Sequence, residues 1–399
     1  MGDHGVLIVG GGLAAQRCAE TLRRRGYEGP VRILGAESEA PYDRPPLSKE
    51  VLAGRMGPEQ TAFRGSDWYE DNAVELILSR SADRLDTVGR RVELDDGMSL
   101  SYGKLLIATG ASPRRLGFLE GYGNVHALRT AADAKRLRDE LARAARLAVV
   151  GAGFIGQEVA ATARSAGLEV IVIEALETPL EGVLGAEVGR WFATLHSDQG
   201  VELRLGARLE GAVGNGSVEQ LVLAGGERVD CDAVVVGVGS VPAAAWLEGS
   251  GLDPGGVRTD TAGRTGIPDV FAAGDVACSF DPRFGSHARS EHWDAASWEG
   301  AAVARAILGE YPGTPPLPGF WSDQYGLRVH YVGHAHRSDA VYVEGQMSSR
   351  DFVAVYTRSG LPVAGLAVGR PRAIPKLRKQ IDEAHFPASC KENEKARAA

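Results

Sequence analysis

Two glycine-rich segments of the chain have the residue types and spacing that bind a dinucleotide. The first segment is Gly10-Gly11-Gly12-Leu13-Ala14-Ala15, which follows an apolar run at 6–9 and precedes a helical pattern. Gly10 allows a tight turn, Gly12 lets the backbone approach a pyrophosphate, and Ala15 is small enough for the helix to pack on the strand. The helix N terminus then offers free N–H groups and a positive dipole end to the phosphates.

The same order of features occurs twice. An apolar run at 31–34 is followed by Glu37, which is placed to accept hydrogen bonds from a ribose. The second copy contains Gly151-Ala152-Gly153-Phe154-Ile155-Gly156, a helical pattern, an apolar run at 170–173 and then Glu174. One such motif is a weak signal, because ordinary turns match it. Two copies in the right context predict two dinucleotides, most economically a flavin dinucleotide and a nicotinamide dinucleotide.

A proline-rich loop brings two cations directly behind the first motif. It spans 40–49 and contains three prolines, which fix an extended chain and can hold Arg44 and Lys49 rigidly. Two fixed cations beside a dinucleotide site indicate contacts to phosphate or to an electron-rich ring. Taken alone, the loop also fits a surface segment with incidental charges.

Two further turns follow apolar strands. Gly237-Val238-Gly239 ends the run at 233–236, and open α/β sheets place ligands at this end of a strand. The run at 270–273 ends in Gly274-Asp275, where the carboxylate is free to bind sugar hydroxyls or to cap a helix. The residues leave both roles of Asp275 open.

The remaining patterns supply the elements that position these residues. Short strands are predicted at 74–78, 91–94, 105–110, 201–205 and 220–223, and helices at 131–145 and from 291–294 through 308. A linker rich in proline and glycine spans 311–320. After it the apolar residues alternate, which predicts a small antiparallel sheet with strands at 328–332, 340–343, 351–356 and 361–366.

Composition excludes several classes of protein. The 399 residues allow two or three domains, and a formal net charge of −8 gives no global reason to expect nucleic-acid binding. No apolar run approaches the roughly 20 residues that span a bilayer. The first strand begins almost at the N terminus, so no signal peptide is expected and the predicted location is cytoplasmic.

Cysteines and histidines give no metal or disulfide pattern. The cysteines, Cys18, Cys231, Cys278 and Cys390, form no C-x-x-C pair, which argues against disulfides, an iron–sulfur cluster and a redox dithiol. The one histidine cluster comprises His330, His334 and His336 and lacks a cysteine or suitable carboxylate to complete a metal site. We therefore expect no metal site and interpret these three residues as solvated strand histidines.

These segments, in order and across nearly the whole chain, resemble the flavoprotein NADH:ferredoxin reductases of oxygenase and cytochrome P450 systems. This group includes reductases similar to putidaredoxin reductase, biphenyl dioxygenase reductase and rubredoxin reductase, with apoptosis-inducing factor as a relative. The group-specific stretches are the loop 41–49 and Phe320-Trp321-Ser322-Asp323-Gln324-Tyr325. Segments 151–158, 270–275 and Glu291-His292-Trp293 also match, although the glycine loops are shared by all two-dinucleotide flavoproteins.

The resemblance implies an α/β fold with two Rossmann-like dinucleotide-binding domains and a C-terminal α+β domain containing an antiparallel sheet. The implied FAD domain is discontinuous and comprises 1–112 and 238–313. The implied NAD domain, 113–237, is inserted between these two parts, and the C-terminal domain is 314–399.

The resemblance also implies roles for individual residues. The residues expected to hold non-covalent FAD are Gly10, Gly12, Leu13, Ala14, Ala15, Glu37, Arg44, Lys49, Ala82, Ala108, Thr109, Gly110, Arg129, Gly274, Asp275, Trp293 and Trp321. Those expected to hold NADH are Gly151, Gly153, Phe154, Ile155, Gly156, Glu158, Glu174, Gly237, Val238 and Gly239. Lys49 and Glu158 would form an ion pair beside the flavin, with a catalytic role or as an interdomain salt bridge alone.

Hydride transfer between the two cofactors is their own chemistry, so no nucleophile or acid–base triad is expected. Glu174 favours NADH, because a carboxylate there bonds both ribose hydroxyls and repels the extra phosphate of NADPH. Members of the group often have an arginine shortly after this acid, and residues 175–178 contain none. The N-terminal end of the helix that opens near 291–294 is expected to stabilise negative charge on the reduced flavin.

The expected acceptor is a small acidic ferredoxin. Arg289 falls where the group has a docking arginine, and Trp321 where it has an aromatic residue between flavin and surface. A basic run at 369–379 includes Arg370, Arg372 and Lys376, and predicts either an electrostatic docking face or a solvated helix face.

Three alternatives remain. The first is a rubredoxin reductase or another two-dinucleotide NADH oxidoreductase. A disulfide reductase or thiol-dependent peroxidase would need a cysteine near the flavin, and the loop 41–49 has none while Cys18 falls within the first helix. A signalling or binding flavoprotein similar to apoptosis-inducing factor would turn over slowly with NADH.

Overall fold

Two parallel sheets and one five-stranded antiparallel sheet organise residues 4–386, the part of the chain that the computed structural model describes. The helices are α1 (Leu13–Arg24), α2 (Ser66–Asp71), α3 (Ala131–Leu141), α4 (Phe154–Ser165), α5 (Glu181–Asp198), α6 (Trp293–Ile307) and α7 (Ala373–His385). The strands are β1 (Val6–Val9), β2 (Val31–Leu34), β3 (Val74–Ile77), β4 (Ala82–Asp86), β5 (Arg91–Leu94), β6 (Ser99–Ser101), β7 (Lys104–Ile107), β8 (Ala111–Pro113), β9 (Val125–His126), β10 (Arg146–Val150), β11 (Glu169–Ile173), β12 (Glu202–Arg204), β13 (Leu209–Val213), β14 (Gln220–Leu223), β15 (Arg228–Asp230), β16 (Ala233–Val236), β17 (Ser240–Pro242), β18 (Val257–Thr259), β19 (Val270–Ala272), β20 (Ala277–Asp281), β21 (Ser286–Arg289), β22 (Gly319–Gln324), β23 (Leu327–Gly333), β24 (Ala340–Gln346), β25 (Asp351–Arg358) and β26 (Leu361–Val368). None of the helices within residues 4–386 has both the length and the apolar character that a bilayer crossing requires.

The first sheet has the strand order β19-β7-β1-β2-β3, with every neighbouring pair parallel. Strand β1 is buried along its whole length because helices cover a parallel sheet on its faces. Strand β19 comes from a segment more than 160 residues after β7 and still pairs directly with it. The chain therefore leaves this sheet and later returns to complete it.

The second sheet repeats this design with the order β12-β11-β10-β16-β9. Strand β10 pairs with β11 and β16 in parallel, and α4 follows β10 through the second glycine loop. Strands β13, β14 and β15 form a separate antiparallel sheet in the same part of the chain.

The third sheet is antiparallel, with the order β22-β23-β26-β25-β24. On one face, Leu377 and Ile381 of α7 pack against it, and on the other, Trp191 and Phe192 of α5 share a hydrophobic cluster with its strands. The third sheet is therefore packed against a helix that follows the second glycine motif.

Helices α1 and α6 approach each other closely at one glycine. A Cβ built on Gly300 would lie 2.2 Å from the carbonyl oxygen of Ala14, so no side chain fits at this crossing. This contact places the N-terminal part of α6 beside the first glycine loop.

The predicted fold class is confirmed, and two local predictions need correction. Helix α3 ends at Leu141 rather than 145, because the chain turns there into β10. His336 is exposed but lies beyond the end of β23, so it is not a strand residue. His334 also lies beyond this strand and is partly buried, with its ring stacked at 6.3 Å on that of His292. It is therefore not a solvated strand residue. The described residues contain no cluster of metal-ligating side chains.

Candidate active site

The first glycine loop has the geometry that its residues predict. Gly10 has φ +120°, and a Cβ on it would lie 2.1 Å from the Ala108 carbonyl oxygen at the end of β7. Gly12 is the N-cap of α1, and the space that its Cβ would occupy is free of other protein atoms to 4 Å. Ala15 is completely buried against the sheet. The loop thus leaves an open approach to the N-terminal N–H groups of α1, as a pyrophosphate requires.

The second loop repeats the same construction. Gly151 has φ +100°, and its Cβ would lie 2.4 Å from the carbonyl oxygen of Gly237, in the turn that ends β16. Gly153 caps α4, while a Cβ on Gly156 would lie 2.2 Å from the Gly151 carbonyl oxygen. The turn 237–239 is therefore adjacent to the second loop, as the sequence predicts.

Four predicted side chains meet near the first loop. Arg44 donates to Glu37 Oε1 at 2.7 Å and to the Arg129 carbonyl oxygen at 2.6 Å. Arg129 in turn donates to Asp275 Oδ2 at 3.0 Å. Tyr42, which sequence reasoning did not select, donates its hydroxyl to Glu37 Oε2 at 2.5 Å. These contacts hold Glu37 and Asp275 at fixed positions around the end of the first sheet.

The turn after β7 contains an unpartnered polar atom. Thr109 Oγ1 is buried and has no hydrogen-bond partner among the described residues. Next to it, Gly110 has φ +72° and lies against the Arg129 guanidinium. A buried hydroxyl without a partner fits a site where a polar ligand group supplies the missing bond. Ala82 lies apart from these contacts and pairs with Leu94 at the start of β4.

Glu299 supports Gly274 from behind and was missed by sequence reasoning. Its carboxylate accepts hydrogen bonds from the Gly274 N–H at 2.7 Å and from Ser279 Oγ at 2.8 Å. Burial raises the pKa of Glu299 to about 7. The sequence carries no signal for this role, because Glu299 reaches the Gly274-Asp275 turn only through the packing of α6 against it.

Lys49 and Glu158 form the predicted ion pair. Lys49 Nζ lies 2.8 Å from Glu158 Oε2, and the two side chains are only 9% and 7% exposed. Ser48 donates to the same oxygen at 2.5 Å, and Ser322 of β22 donates to Glu158 Oε1 at 2.7 Å. Glu158 belongs to α4, the helix of the second glycine motif. It receives hydrogen bonds both from the loop 40–49 and from the third sheet.

Glu174 closes the second loop. Its Oε2 accepts the Ala152 N–H at 2.7 Å and its Oε1 accepts the Leu176 N–H at 2.9 Å. Phe154 at the start of α4 makes edge contact with Phe320 of β22, with ring centroids 4.5 Å apart, whereas the neighbouring Ile155 is half exposed.

Two tryptophans lie where α6 begins. Trp293 donates its indole N–H to Asp43 Oδ1 at 2.8 Å, and its ring centroid lies 6.0 Å from that of Trp321. Burial raises the pKa of Asp43. The tryptophan pair joins the start of α6 to the first strand of the third sheet.

The predicted docking residues differ in their surroundings. Arg289 pairs with Glu291 at 2.6 Å. Arg370 is held by Asp351 at 2.6 Å and by Glu344 at 3.4 Å. Arg372 and Lys376 are exposed and form no ion pair with any of residues 4–386.

Two parallel sheets with paired glycine loops, joined at a buried Lys49–Glu158 pair, define a two-dinucleotide oxidoreductase. The family model described as pyridine nucleotide-disulphide oxidoreductase matches residues 4–300, and the reductase C-terminal model matches residues 319–394. The chain belongs to the pyridine nucleotide-disulphide oxidoreductase family.

Curated relatives and solved structures agree with this assignment. The ferredoxin–NAD(+) reductase component of the anthranilate 1,2-dioxygenase system of Burkholderia cepacia is 37% identical over 96% of this chain and 95% of its own length. A putidaredoxin reductase–putidaredoxin complex matches with 30% identity and a TM-score of 0.91, covering 99% of both chains. The ferredoxin reductase for the CYP199A2 system of Rhodopseudomonas palustris matches with 32% identity and a TM-score of 0.88, covering 98% of this chain and 100% of its own.

These findings confirm the resemblance, the enzyme class and the cofactors that the sequence predicts. The chain is an oxidoreductase that uses FAD and NADH. The open approach at Gly12 and the unpartnered Thr109 hydroxyl fit FAD at the first loop.

Proposed function

We propose that this protein transfers electrons from NADH through FAD to a small [2Fe–2S] ferredoxin that supplies a cytochrome P450 or another oxygenase. The observation that carries the proposal is the convergence of both glycine motifs on one buried ion pair, Lys49–Glu158, beside the tryptophan pair. Several relatives are reductase components of dioxygenase systems, which supports the same acceptor here.

The first loop and its cluster of contacts would hold FAD. The N–H groups at the start of α1 would bind the pyrophosphate, and Glu37 and Asp275 would accept hydrogen bonds from hydroxyl groups. Arg44 and Arg129 keep these carboxylates oriented through bonds of 2.7 and 3.0 Å. Thr109 would gain the partner that its buried hydroxyl lacks, and the flanking Ala108 and Gly110 would line the pocket. Ala82, at the start of β4, is proposed as a separate contact to FAD.

The second loop would hold NADH. The N–H groups at the start of α4 would bind its pyrophosphate, and Glu174 would bind its ribose. The turn 237–239 would contact the nicotinamide half of the cofactor. When both cofactors are bound they supply hydride transfer from nicotinamide to flavin. The protein orients the two rings and excludes water, and the Lys49–Glu158 pair fixes charge where they meet.

Helix α6 would stabilise the reduced enzyme. Its first turn begins at Trp293 without a side-chain cap on its N–H groups. These donors and the helix dipole favour negative charge. Trp293 and Trp321 would line the way from the flavin to the surface, where Arg289, Arg370, Arg372 and Lys376 would meet an acidic ferredoxin.

We also propose the domain bounds 1–112 with 238–313, 113–237 and 314–399. The return of β19 to the first sheet supports the discontinuous first domain. We further propose that the protein is cytoplasmic and supplies electrons to an oxygenase in the same compartment.

The test uses the purified holoprotein and its visible spectrum. NADH oxidation is measured with a panel of ferredoxins from the same source, with cytochrome c as the final acceptor and a rubredoxin for comparison. Rapid ferredoxin-dependent cytochrome c reduction is expected. Preference for the rubredoxin, or slow turnover with every acceptor, would contradict the proposal and favour a rubredoxin reductase or a signalling flavoprotein respectively.

The disulfide reductase alternative needs a reactive thiol beside the flavin, and Cys18 in the helix after the first glycine loop does not supply one. Cys18 is completely buried within α1, and burial raises the pKa of its thiol far above the ordinary value. A thiolate is the form that attacks disulfides, so this thiol is inert.

A further inference from the structure

A buried hydrogen-bond network around one histidine connects the third sheet to the second glycine loop and to the ion-paired Glu158. His196 lies near the end of α5 and is 1% exposed. Its Nε2 lies 3.1 Å from Gln157 Oε1 and 3.0 Å from Gln324 Oε1, and its Nδ1 lies 2.8 Å from the Tyr325 hydroxyl. Three separate elements, α4, α5 and β22 with its turn, therefore meet on this ring.

The directions of these hydrogen bonds are determined by the donors available. Burial lowers the pKa of His196 to about 4, so the ring is neutral near pH 7 and carries one N–H. That proton must be on Nε2, which faces two amide oxygens, and Nδ1 then accepts from Tyr325. Every polar atom of the imidazole is thus satisfied in a single tautomer.

The chain continues from the ring in two directions. Gln157 Nε2 donates to the Ala152 carbonyl oxygen at 2.9 Å, inside the second glycine loop. Gln324 Nε2 donates to Ser322 Oγ at 3.2 Å, and Ser322 donates to Glu158 Oε1 at 2.7 Å. The Tyr325 hydroxyl donates to the ring, and every later donor points toward Ala152 or Glu158, so each bond polarises the next in the same sense.

The backbone conformation of Tyr325 supports the hydrogen bond between its hydroxyl and His196. Tyr325 and Gly326 form the two-residue turn between β22 and β23, with φ +52° and +74°. A non-glycine residue in the left-handed region is strained, and the surrounding structure must offset that strain. The turn directs the Tyr325 hydroxyl at His196 rather than at solvent.

We propose that His196 is a positioning residue through which the third sheet sets the geometry of the NADH site. It holds the second glycine loop through Gln157 and the ion-paired Glu158 through Gln324 and Ser322. This inference rests on the proposed function for the location of NADH, but it concerns only the steps up to reduction of the bound FAD.

The test compares variants of the FAD-loaded protein. The substitutions are His196→Leu, which removes every polar atom, His196→Gln, which keeps a donor near the Nε2 position, and Tyr325→Phe. The matched control is Tyr356→Phe, because Tyr356 is also buried in the third sheet and donates to a carbonyl of α5, that of Leu184, at 3.0 Å. The measurements are the Kd of NAD⁺ by calorimetry and the limiting rate of FAD reduction by NADH in stopped flow.

His196→Leu is expected to raise the Kd of NAD⁺ about tenfold and to slow FAD reduction about tenfold, since Gln157, Gln324 and Tyr325 each lose a buried hydrogen-bond partner. His196→Gln should recover most of both losses, and Tyr325→Phe should show about a threefold effect that Tyr356→Phe lacks. Equal effects of the two tyrosine variants, or values within twofold of wild type for His196→Leu, would overturn the proposal.

The tyrosine comparison decides the question even if His196→Leu does not fold. If the protein reduced no ferredoxin, the proposed function would be contradicted. The Kd of NAD⁺ and the rate of FAD reduction would still test the role of His196, because neither involves the ferredoxin.

Discussion

Single side chains determine where charge is buried in this molecule. Lys49 and Glu158 compensate each other, and two serines complete the hydrogen bonds of the carboxylate. Removing one partner of such a pair leaves an uncompensated buried charge. Within residues 4–386, Glu299 has no cation partner and is instead stabilised by two neutral donors, which makes its charge state sensitive to pH.

Glu299→Gln is expected to change how stability depends on pH. Burial raises the pKa of Glu299 from 4.5 to about 7, so between these values the folded state binds more protons than the unfolded state. Wild-type stability therefore falls relative to the variant as pH rises from about 4.5 to 7. The two pKa values correspond to a relative loss of roughly 3 kcal/mol.

This is measured as the difference in melting temperature between wild type and variant from pH 5 to 8. His196, whose pKa is lowered, contributes the opposite slope to both proteins and cancels in the difference. A difference that stays constant with pH would contradict the raised pKa of Glu299.

Coenzyme choice is also decided by single residues. The wild-type chain should have a kcat/KM for NADH at least about tenfold above that for NADPH, because Glu174 opposes the extra phosphate. Ala175 is exposed directly after this acid, and Ala175→Arg is expected to raise kcat/KM for NADPH severalfold. Steady-state assays with both coenzymes check this, with Ala142→Arg, at an exposed position outside both loops, as the control.

Equal kcat/KM values for the two coenzymes in the wild-type protein would contradict the role of Glu174. An equal gain from Ala142→Arg would instead indicate a general effect of added positive charge.

At the scale of elements, α1 and α6 cross in close contact beside the first glycine loop. Gly300→Ala would place a methyl group 2.2 Å from the Ala14 carbonyl oxygen, so the helices must separate. We expect a loss of about 1–3 kcal/mol in stability and weaker FAD retention, because overpacking against backbone is poorly relieved.

Thermal melting and FAD content after gel filtration test this prediction. Gly182→Ala in α5 is the control, since no atom lies within 4 Å of the added Cβ and a helix accepts alanine readily. If Gly300→Ala melts and retains FAD as Gly182→Ala does, the close crossing is not needed.

Elements defined by local sequence could be predicted, and contacts between distant segments could not. In each motif the strand, glycine loop, helix, second strand and carboxylate follow one another within about 30 residues, so their order alone indicates the fold. The group resemblance placed Lys49 beside Glu158 across 109 residues. The contact of Ser322 with Glu158 spans 164 residues, and no periodicity in the chain reports it. His196 and Glu299 were missed for the same reason.

At the scale of the whole molecule, charge is distributed unevenly. The chain carries a net charge of −8, yet Arg372 and Lys376 are exposed at the start of α7. An acidic ferredoxin approaching this face would be steered by local positive charge, and added salt screens such attraction.

The rate of ferredoxin reduction should therefore fall severalfold between about 50 and 500 mM NaCl, whereas FAD reduction by NADH should change little. Combining Arg372→Ala with Lys376→Ala should reduce the salt dependence. Stopped-flow rates measure both steps, and the paired control substitutes Arg143 and Arg208, which are 73% and 75% exposed on the second-sheet region. A salt-independent rate of ferredoxin reduction would count against electrostatic docking at this face.

The bonds that Glu158 receives from Ser48 and Ser322 constrain how these reductases can be recombined. A chimera that exchanges everything after residue 313, to redirect electrons to another acceptor, also replaces a ligand of the carboxylate at the centre of the enzyme. We expect such chimeras to keep the wild-type rate of FAD reduction by NADH only when the incoming segment has a hydroxyl side chain at 322 and an amide side chain at 324. A change of the acceptor-binding segment therefore also changes the surroundings of the NADH site.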